Sequence, residues 1–233
     1  MPVASTPSTS TDDETPERNR RLVIVFGALG AVSAVIAALV IFSSGASTTR
    51  PKDPEPHLQA TDNALLLGQS DARTRVVVYE VFGSPESREF EIASRDFLRV
   101  EAAQGHALVE YHPVALLDDD FSAGALGAWG RVLQNGRASQ ALAFHDLLFD
   151  QQPASDEAEP SEFIALARQA GVKDGDVLDA VGAPDQSWLA YTRKAADAAG
   201  VDTTPTVLVD GKRLTAASPT ALADRIQRMI LED

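Results

Sequence analysis

Hydrophobic and polar positions divide the chain into a polar start, one long apolar run and a mixed remainder. Residues 1–21 are rich in Ser, Thr, Pro and Asp and hold almost no large apolar side chain, which predicts a disordered tail. The run Leu22–Phe42 then continues for 21 residues without a charge. As a helix rising about 1.5 Å per residue it would span about 31 Å, so we expect a single-pass transmembrane helix.

Basic residues predict how this helix is oriented. Arg18, Arg20 and Arg21 lie directly before it, whereas the first basic residues after it are Arg50 and Lys52. Positive charge favours the cytoplasmic side of a membrane. We therefore expect a protein of the cell membrane, with a cytoplasmic N-terminus and an extracytoplasmic C-terminal domain.

Two alternatives concern the apolar run itself. The segment Ser44–Ala46 resembles a small-x-small cleavage site, so a cleaved signal peptide competes with an anchor, although the run is longer than a signal core of about 7–15 residues. Both interpretations export the domain. Gly30, Ala34 and Ala38 recur at a spacing of four, which is compatible either with weak homodimerisation of the helix or with the ordinary abundance of small residues in membrane helices.

The remainder divides into a linker and one folded domain. Residues 43–62 are polar and include Pro51, Pro54 and Pro56, which predicts an extended extracytoplasmic linker. Residues 63–233 are numerous enough for one domain with its own core. Their patterns predict strand, helix and strand, then only helices over about 115–199, then a hairpin and a last helix. This order indicates an α/β domain with a helical insertion.

The central stretch of that domain is Arg75–Val100, where an apolar strand breaks at Gly83 and continues into a helix. Ser84 is a good N-cap, and Pro85 suits the first helical position. Helical spacing predicts a buried face of Phe90, Ala93, Phe97 and Val100. The same spacing places the charged residues in water, namely Arg88, Glu89, Glu91, Arg95, Asp96 and Arg99.

Two motifs resemble a known family. The run VVVYEVFGSPESREFE resembles the active-site segment of DsbA-like disulfide oxidoreductases of the thioredoxin superfamily, in which a strand leads into Cys-Pro-x-Cys at the start of a helix. Here these four positions are Ser84, Pro85, Glu86 and Ser87, and the chain contains no cysteine. The run GVDTTPTVLVDGKRL resembles the cis-proline loop and hairpin of that family, with Thr204 and Pro205 at the Thr-Pro positions. The resemblance implies a thioredoxin fold with an inserted helical subdomain.

Serine cannot perform the chemistry that the resemblance implies. In the family the first cysteine attacks a disulfide as a thiolate, ionised by the helix N-terminus and its neighbours. A hydroxyl is far less acidic, and oxygen forms no exchangeable link equivalent to a disulfide. Active members commonly carry an acid near the position of Val81, which is apolar here. We therefore expect a pseudo-enzyme without catalytic residues, cofactor or metal.

Two enzymatic alternatives stay open, namely a redox protein assisted by the thiols of a partner and a serine hydrolase. A hydrolase would need a base such as histidine beside Ser84. The histidines are His57, His106, His112 and His145, and none has a sequence context that places it there. We expect His145 to lie on a helix surface or to be packed, and no His, Asp or Glu spacing predicts a metal site.

Binding is the other function that the resemblance implies. In thioredoxin folds the residue before the cis-proline offers its backbone to an extended substrate, and here that residue is Thr204. Gly83, Ser84, Pro85, Thr204 and Pro205 are therefore the expected groove for an exported polypeptide or a membrane-protein partner. The alternative is that the loop persists because the fold needs it.

Net charge excludes one class of partner. The formal charge is −14, and residues 1–50 contain four acids and four arginines. The acidic excess therefore lies beyond residue 50. Because an acidic domain repels phosphate backbones, we expect no nucleic-acid binding.

Overall fold

The computed structural model describes residues 55–152, 159–183 and 185–232, all within one compact unit, residues 53–233. The predicted tail, the predicted transmembrane run Leu22–Phe42 and most of the predicted linker lie outside the described residues. Among the residues that are described, no helix is long and apolar enough to cross a membrane.

A six-stranded mixed sheet forms the centre of this unit. Its strands are β1 (Leu58–Ala60), β2 (Leu65–Leu67), β3 (Thr74–Glu80), β4 (Ala107–Pro113), β5 (Thr206–Val209) and β6 (Lys212–Leu214). The spatial order is β1-β2-β4-β3-β5-β6, and β3 and β4 are parallel while all other neighbours are antiparallel. Strand β1 falls inside the stretch that the sequence assigned to the linker, where Leu58 pairs with Leu67.

Seven helices surround the sheet in the described part of the chain. They are α1 (Pro85–Ala103), α2 (Asp120–Asn135), α3 (Ala138–Asp150), α4 (Pro160–Gln169), α5 (Gly175–Val181), α6 (Gln186–Ala198) and α7 (Pro219–Glu232). Helices α1 and α7 pack against each other, and α2 to α6 form one block between β4 and β5. The α/β thioredoxin-like fold with a helical insertion, predicted from the sequence, is confirmed.

Strand β3 carries an acidic residue into the core. Its burial alternates with period two, as expected for a strand, so that Thr74, Val76, Val78 and Glu80 are all buried. Glu80 therefore lies on the same face as the valines, with an exposed fraction of 0%. A carboxylate at this depth needs partners of opposite charge or strong donors.

The predicted buried face of α1 is wrong in part. Phe90 is buried, but Glu91 is fully buried too and Val100 is 43% exposed. A single apolar stripe assumes one packing partner, whereas α1 contacts α7 and also α3 of the insertion. In α6, Trp188 is buried and donates from Nε1 to the Asp62 carbonyl, whereas Tyr191 is 48% exposed.

Candidate functional site

The two serines at the cysteine positions hold the turn between β3 and α1. Ser84 is the N-cap of α1, as predicted, and its Oγ accepts a hydrogen bond from the Ser87 amide at 3.1 Å. Ser84 Oγ also donates to Glu86 Oε2 at 3.2 Å. The Val81 amide donates to Ser87 Oγ at 3.2 Å, which ties the first turn of the helix back to the strand. Both hydroxyls are thus engaged in the local structure, and both serines are buried.

Gly83 allows the insertion to approach this turn closely. A Cβ atom at Gly83 would lie 2.1 Å from Ser122 Oγ and 3.3 Å from Asp119 Oδ1. Both residues belong to the start of α2, where Asp119 caps the helix by accepting from the Ser122 amide at 2.7 Å. The start of the insertion therefore lies directly against Gly83, next to Ser84, whose exposed fraction is 4%.

The Thr-Pro loop lies at the end of the sheet where β3 turns into α1. Thr206 in β5 pairs with Tyr79 in β3, so the residues before Thr206 and those after Tyr79 leave the sheet together. The Thr204–Pro205 peptide bond is cis, and both residues are half-buried. Arg213 braces the loop, because its Nη2 donates to Asp202 Oδ1 at 3.0 Å, Thr203 Oγ1 at 3.0 Å and Thr206 Oγ1 at 2.9 Å.

The backbone N–H and C=O groups of Thr204 are not hydrogen-bonded within the described residues. Backbone polar groups that are partly shielded from water and lack a partner are unusual in folded proteins. The loop therefore offers one donor and one acceptor beside the start of α1.

No histidine forms a hydrogen bond with Ser84 in the described structure. The Ser84 hydroxyl bonds to the Ser87 amide and to the carboxylate of Glu86. Three histidines are engaged by acids elsewhere, His106 with Glu101, His112 with Glu110 and His145 with Glu80. Among the described residues, Ser84 therefore lacks the histidine base on which the serine-hydrolase alternative depends.

A buried cluster of charged residues lies in the core close to this turn. His145 Nε2 lies 2.5 Å from Glu80 Oε1, and Arg95 Nε donates to Glu91 Oε1 at 3.0 Å. Glu80, Glu91 and His145 come from β3, α1 and α3, and their exposed fractions are all 0%. The sequence pattern predicted Glu91 in water and indicated no partner for His145. The alternation of β3 would have indicated Glu80, but contact with α3 requires the tertiary fold.

Two arginine–aspartate pairs border the cluster. Arg95 Nη1 lies 2.9 Å from Asp150 Oδ1, and Arg99 Nη2 lies 2.5 Å from Asp146 Oδ1. These pairs join α1 to α3 and therefore hold the insertion against the strand–helix unit. Their partial burial makes them less screened by salt than surface pairs.

The cluster shifts two pKa values in the same direction. Burial alone would lower the pKa of His145, but the carboxylates of Glu80 and Glu91 outweigh burial and raise it from 6.5 to about 10. Burial raises the pKa of Glu91, and the charge of Glu80 adds to this, against the opposing effect of His145 and Arg95. The folded protein thus favours the protonated form of both groups.

We expect Ser87→Ala to destabilise the fold. The substitution leaves the buried Val81 amide without its acceptor, which should lower the free energy of unfolding by about 1–3 kcal/mol. Ser122→Ala is the matched control, because Ser122 is also buried and its Oγ has no partner in the described structure. Urea unfolding followed by circular dichroism measures both, and equal stabilities for the two variants would contradict the structural role of Ser87.

We also expect the free energy of unfolding to fall as pH rises from about 7 to 10. A raised pKa means that the folded state binds more protons than the unfolded state, so this stability is complete below pH 6.5 and is lost through pH 10. The slope should reach about 1.4 kcal/mol per pH unit for each proton. His145→Gln should flatten it, whereas His112→Gln, outside the cluster, should not. A wild-type free energy of unfolding that does not change between pH 7 and 10 would refute the raised pKa of His145.

Comparison with known proteins agrees with this architecture. A thioredoxin family model matches residues 60–228. No curated protein sequence shows significant similarity to the chain.

Similar solved structures include three actinobacterial proteins. Reduced DsbA of Mycobacterium tuberculosis is 26% identical, with a TM-score of 0.60, and the match covers 73% of this chain and 93% of that chain. Reduced DsbG of the same organism is 28% identical, with a TM-score of 0.58 and coverages of 71% and 83%. The thiol-disulfide oxidoreductase MdbA of Corynebacterium diphtheriae is 20% identical, with a TM-score of 0.62 and coverages of 80% and 99%, which shows likeness of fold alone. The chain therefore belongs to the thioredoxin family, as a DsbA-like member with serine at both cysteine positions.

Proposed function

We propose that the protein is a redox-inactive, membrane-anchored module that holds an extended exported polypeptide. The contact surface is the groove formed by Gly83, Ser84, Pro85, Thr204 and Pro205. The observation that carries this proposal is the unengaged backbone of Thr204 beside a turn whose hydroxyls are already occupied.

The absence of redox activity follows from the atoms at the turn. Thiol–disulfide exchange needs a thiolate that attacks a sulfur and a second sulfur that resolves the mixed disulfide. The chain supplies none, because it contains no cysteine. Ser84 and Ser87 use their hydroxyls for capping and for the Val81 amide, which is a structural role.

Strand addition supports the binding role. An extended peptide that lies along a loop forms main-chain hydrogen bonds to free N–H and C=O groups, and this requires no covalent capture. Thr204 offers one group of each kind, and the three hydrogen bonds from Arg213 to neighbouring side chains fix the loop that presents them. Pro85 and Glu86 are exposed at the adjoining helix start, where a bound peptide would meet them.

Membrane anchoring is supported by sequence alone. The uncharged run Leu22–Phe42 and the arginines that precede it favour a single-pass anchor with the domain outside the cytoplasm. The binding partner is then a polypeptide or membrane protein on that side of the membrane. An anchored module of this kind would keep its partner close to the bilayer.

We expect Thr204→Arg to weaken peptide binding at least about tenfold, because a long charged side chain at this position would crowd the backbone contact surface. The assay is fluorescence anisotropy of labelled ten-residue extended peptides with the full chain in lipid nanodiscs. Ser70→Arg is the matched control, since it adds the same charge at an exposed position before β3, at the other end of that strand.

Peptides with N-methylated backbones separate strand addition from side-chain recognition. Methylation removes main-chain donors and leaves the side chains unchanged, so binding by strand addition should be lost. Equal affinity for methylated and unmethylated peptides, or for Thr204→Arg and wild type, would refute the proposed groove.

A further inference from the structure

The buried cluster has more ligand atoms than partners. Glu80 Oε2, Glu91 Oε2 and His145 Nδ1 are buried and lack a hydrogen-bond partner within the described structure. His145 Nδ1 lies 3.6 Å from Asp146 Oδ1 and 3.8 Å from Glu91 Oε1, which is too far for a hydrogen bond. Each of the three residues thus keeps one unengaged atom of a type that binds metal ions.

These residues converge from three elements. One ligand atom from each of Glu80, Glu91 and His145 lies within 4.8 Å of the other two. The residues belong to β3, α1 and α3, so the convergence is a product of the fold. Because the three residues are far apart in sequence, no spacing of His, Asp or Glu predicted a metal site.

Two further side chains of the core lack partners in the same region. Tyr111 Oη and Ser94 Oγ are both unpartnered in the described part of the chain, and both residues are 0% exposed. The Tyr111 ring centroid lies 4.8 Å from that of His145, and Ser94 follows Glu91 by three residues on one face of α1. Because buried polar groups are nearly always satisfied, this concentration of unpartnered atoms indicates a polar occupant.

A divalent cation fits the formal charges of the cluster. Without a metal ion, protonated His145, whose pKa is raised, and the guanidinium of Arg95, which lies 3.0 Å from Glu91 Oε1, balance Glu80 and Glu91. A divalent cation that displaced the His145 proton would balance both carboxylates and leave Arg95 and Arg99 paired with Asp150 and Asp146. Arg95 engages Glu91 through Oε1, which leaves Oε2 available.

We propose that Glu80, Glu91 and His145 form a structural site for one divalent transition-metal ion of the zinc class. One imidazole and two carboxylates suit Zn²⁺, which binds three protein ligands and a fourth oxygen with tetrahedral geometry. Ca²⁺ and Mg²⁺ are poor candidates, because they require six or more oxygen ligands or several retained waters. The ion would fix the insertion, through α3, against β3 and α1.

The test is metal incorporation during folding, since the site is closed to solvent. The full chain, without a histidine tag, is produced in medium supplemented with Zn²⁺ or Co²⁺ and purified in detergent, and its metal content is measured. We expect about one equivalent per chain and, for Co²⁺, the visible absorption bands of a four-coordinate ion. Glu91→Gln and His145→Gln should each lower the metal content at least about tenfold.

His112→Gln is the matched control. It removes a histidine that also contacts a glutamate, Glu110, at 3.3 Å but lies outside the cluster, so its metal content should equal that of wild type. X-ray absorption at the zinc edge of wild type, which does not depend on any variant folding, should show one histidine nitrogen among oxygen ligands. A folded wild type without metal, undiminished metal in His145→Gln, or a coordination shell without nitrogen would overturn the proposal and leave water or protons as the occupant.

Discussion

The joint between β3 and α1 is the constraint on which the rest of the structure depends. The hydrogen bond from the Val81 amide to Ser87 Oγ fixes the helix start against the strand end. That connection places Glu80 in the core below the turn and Gly83 against the start of α2. The buried cluster lies beneath this joint, and the proposed groove would lie on the outer side of the turn.

Replacing sulfur with oxygen changes the chemistry of this joint and preserves its shape. A serine hydroxyl is similar in size to a thiol, accepts backbone hydrogen bonds well and caps helices better than most residues. The scaffold therefore keeps the strand, the capped helix and the Thr-Pro loop of its relatives. What it lacks is a thiol for disulfide exchange, which is why we propose binding and not redox catalysis as its activity.

Local signals predicted much of the fold. Ser84 and Pro85 indicated the start of α1, and the run GVDTTPTVLVDGKRL indicated the hairpin between β5 and β6, whose turn residues Asp210 and Gly211 both have positive φ. The two motifs then identified the architecture. Each of these features depends on a few consecutive residues, which is why the sequence alone was sufficient to predict it.

Features that depend on distant contacts were not predictable. Glu91 was assigned to water because charged residues normally are, and only contact with α3 buries it. His145 contacts Glu80, although the two residues are 65 positions apart in the sequence. Strand β1 was missed because its three residues form a strand only by pairing with β2.

The central claim, that the chain has no thiol–disulfide exchange activity because serine replaces both cysteines, can be measured directly. Wild type and the double variant Ser84→Cys/Ser87→Cys, the latter prepared with its disulfide formed, are each mixed with a dithiol peptide, and oxidation of the peptide is followed. The account predicts no oxidation by wild type and measurable oxidation by the double variant, because the helix start would stabilise the released thiolate. Oxidation by wild type without any added helper would contradict it.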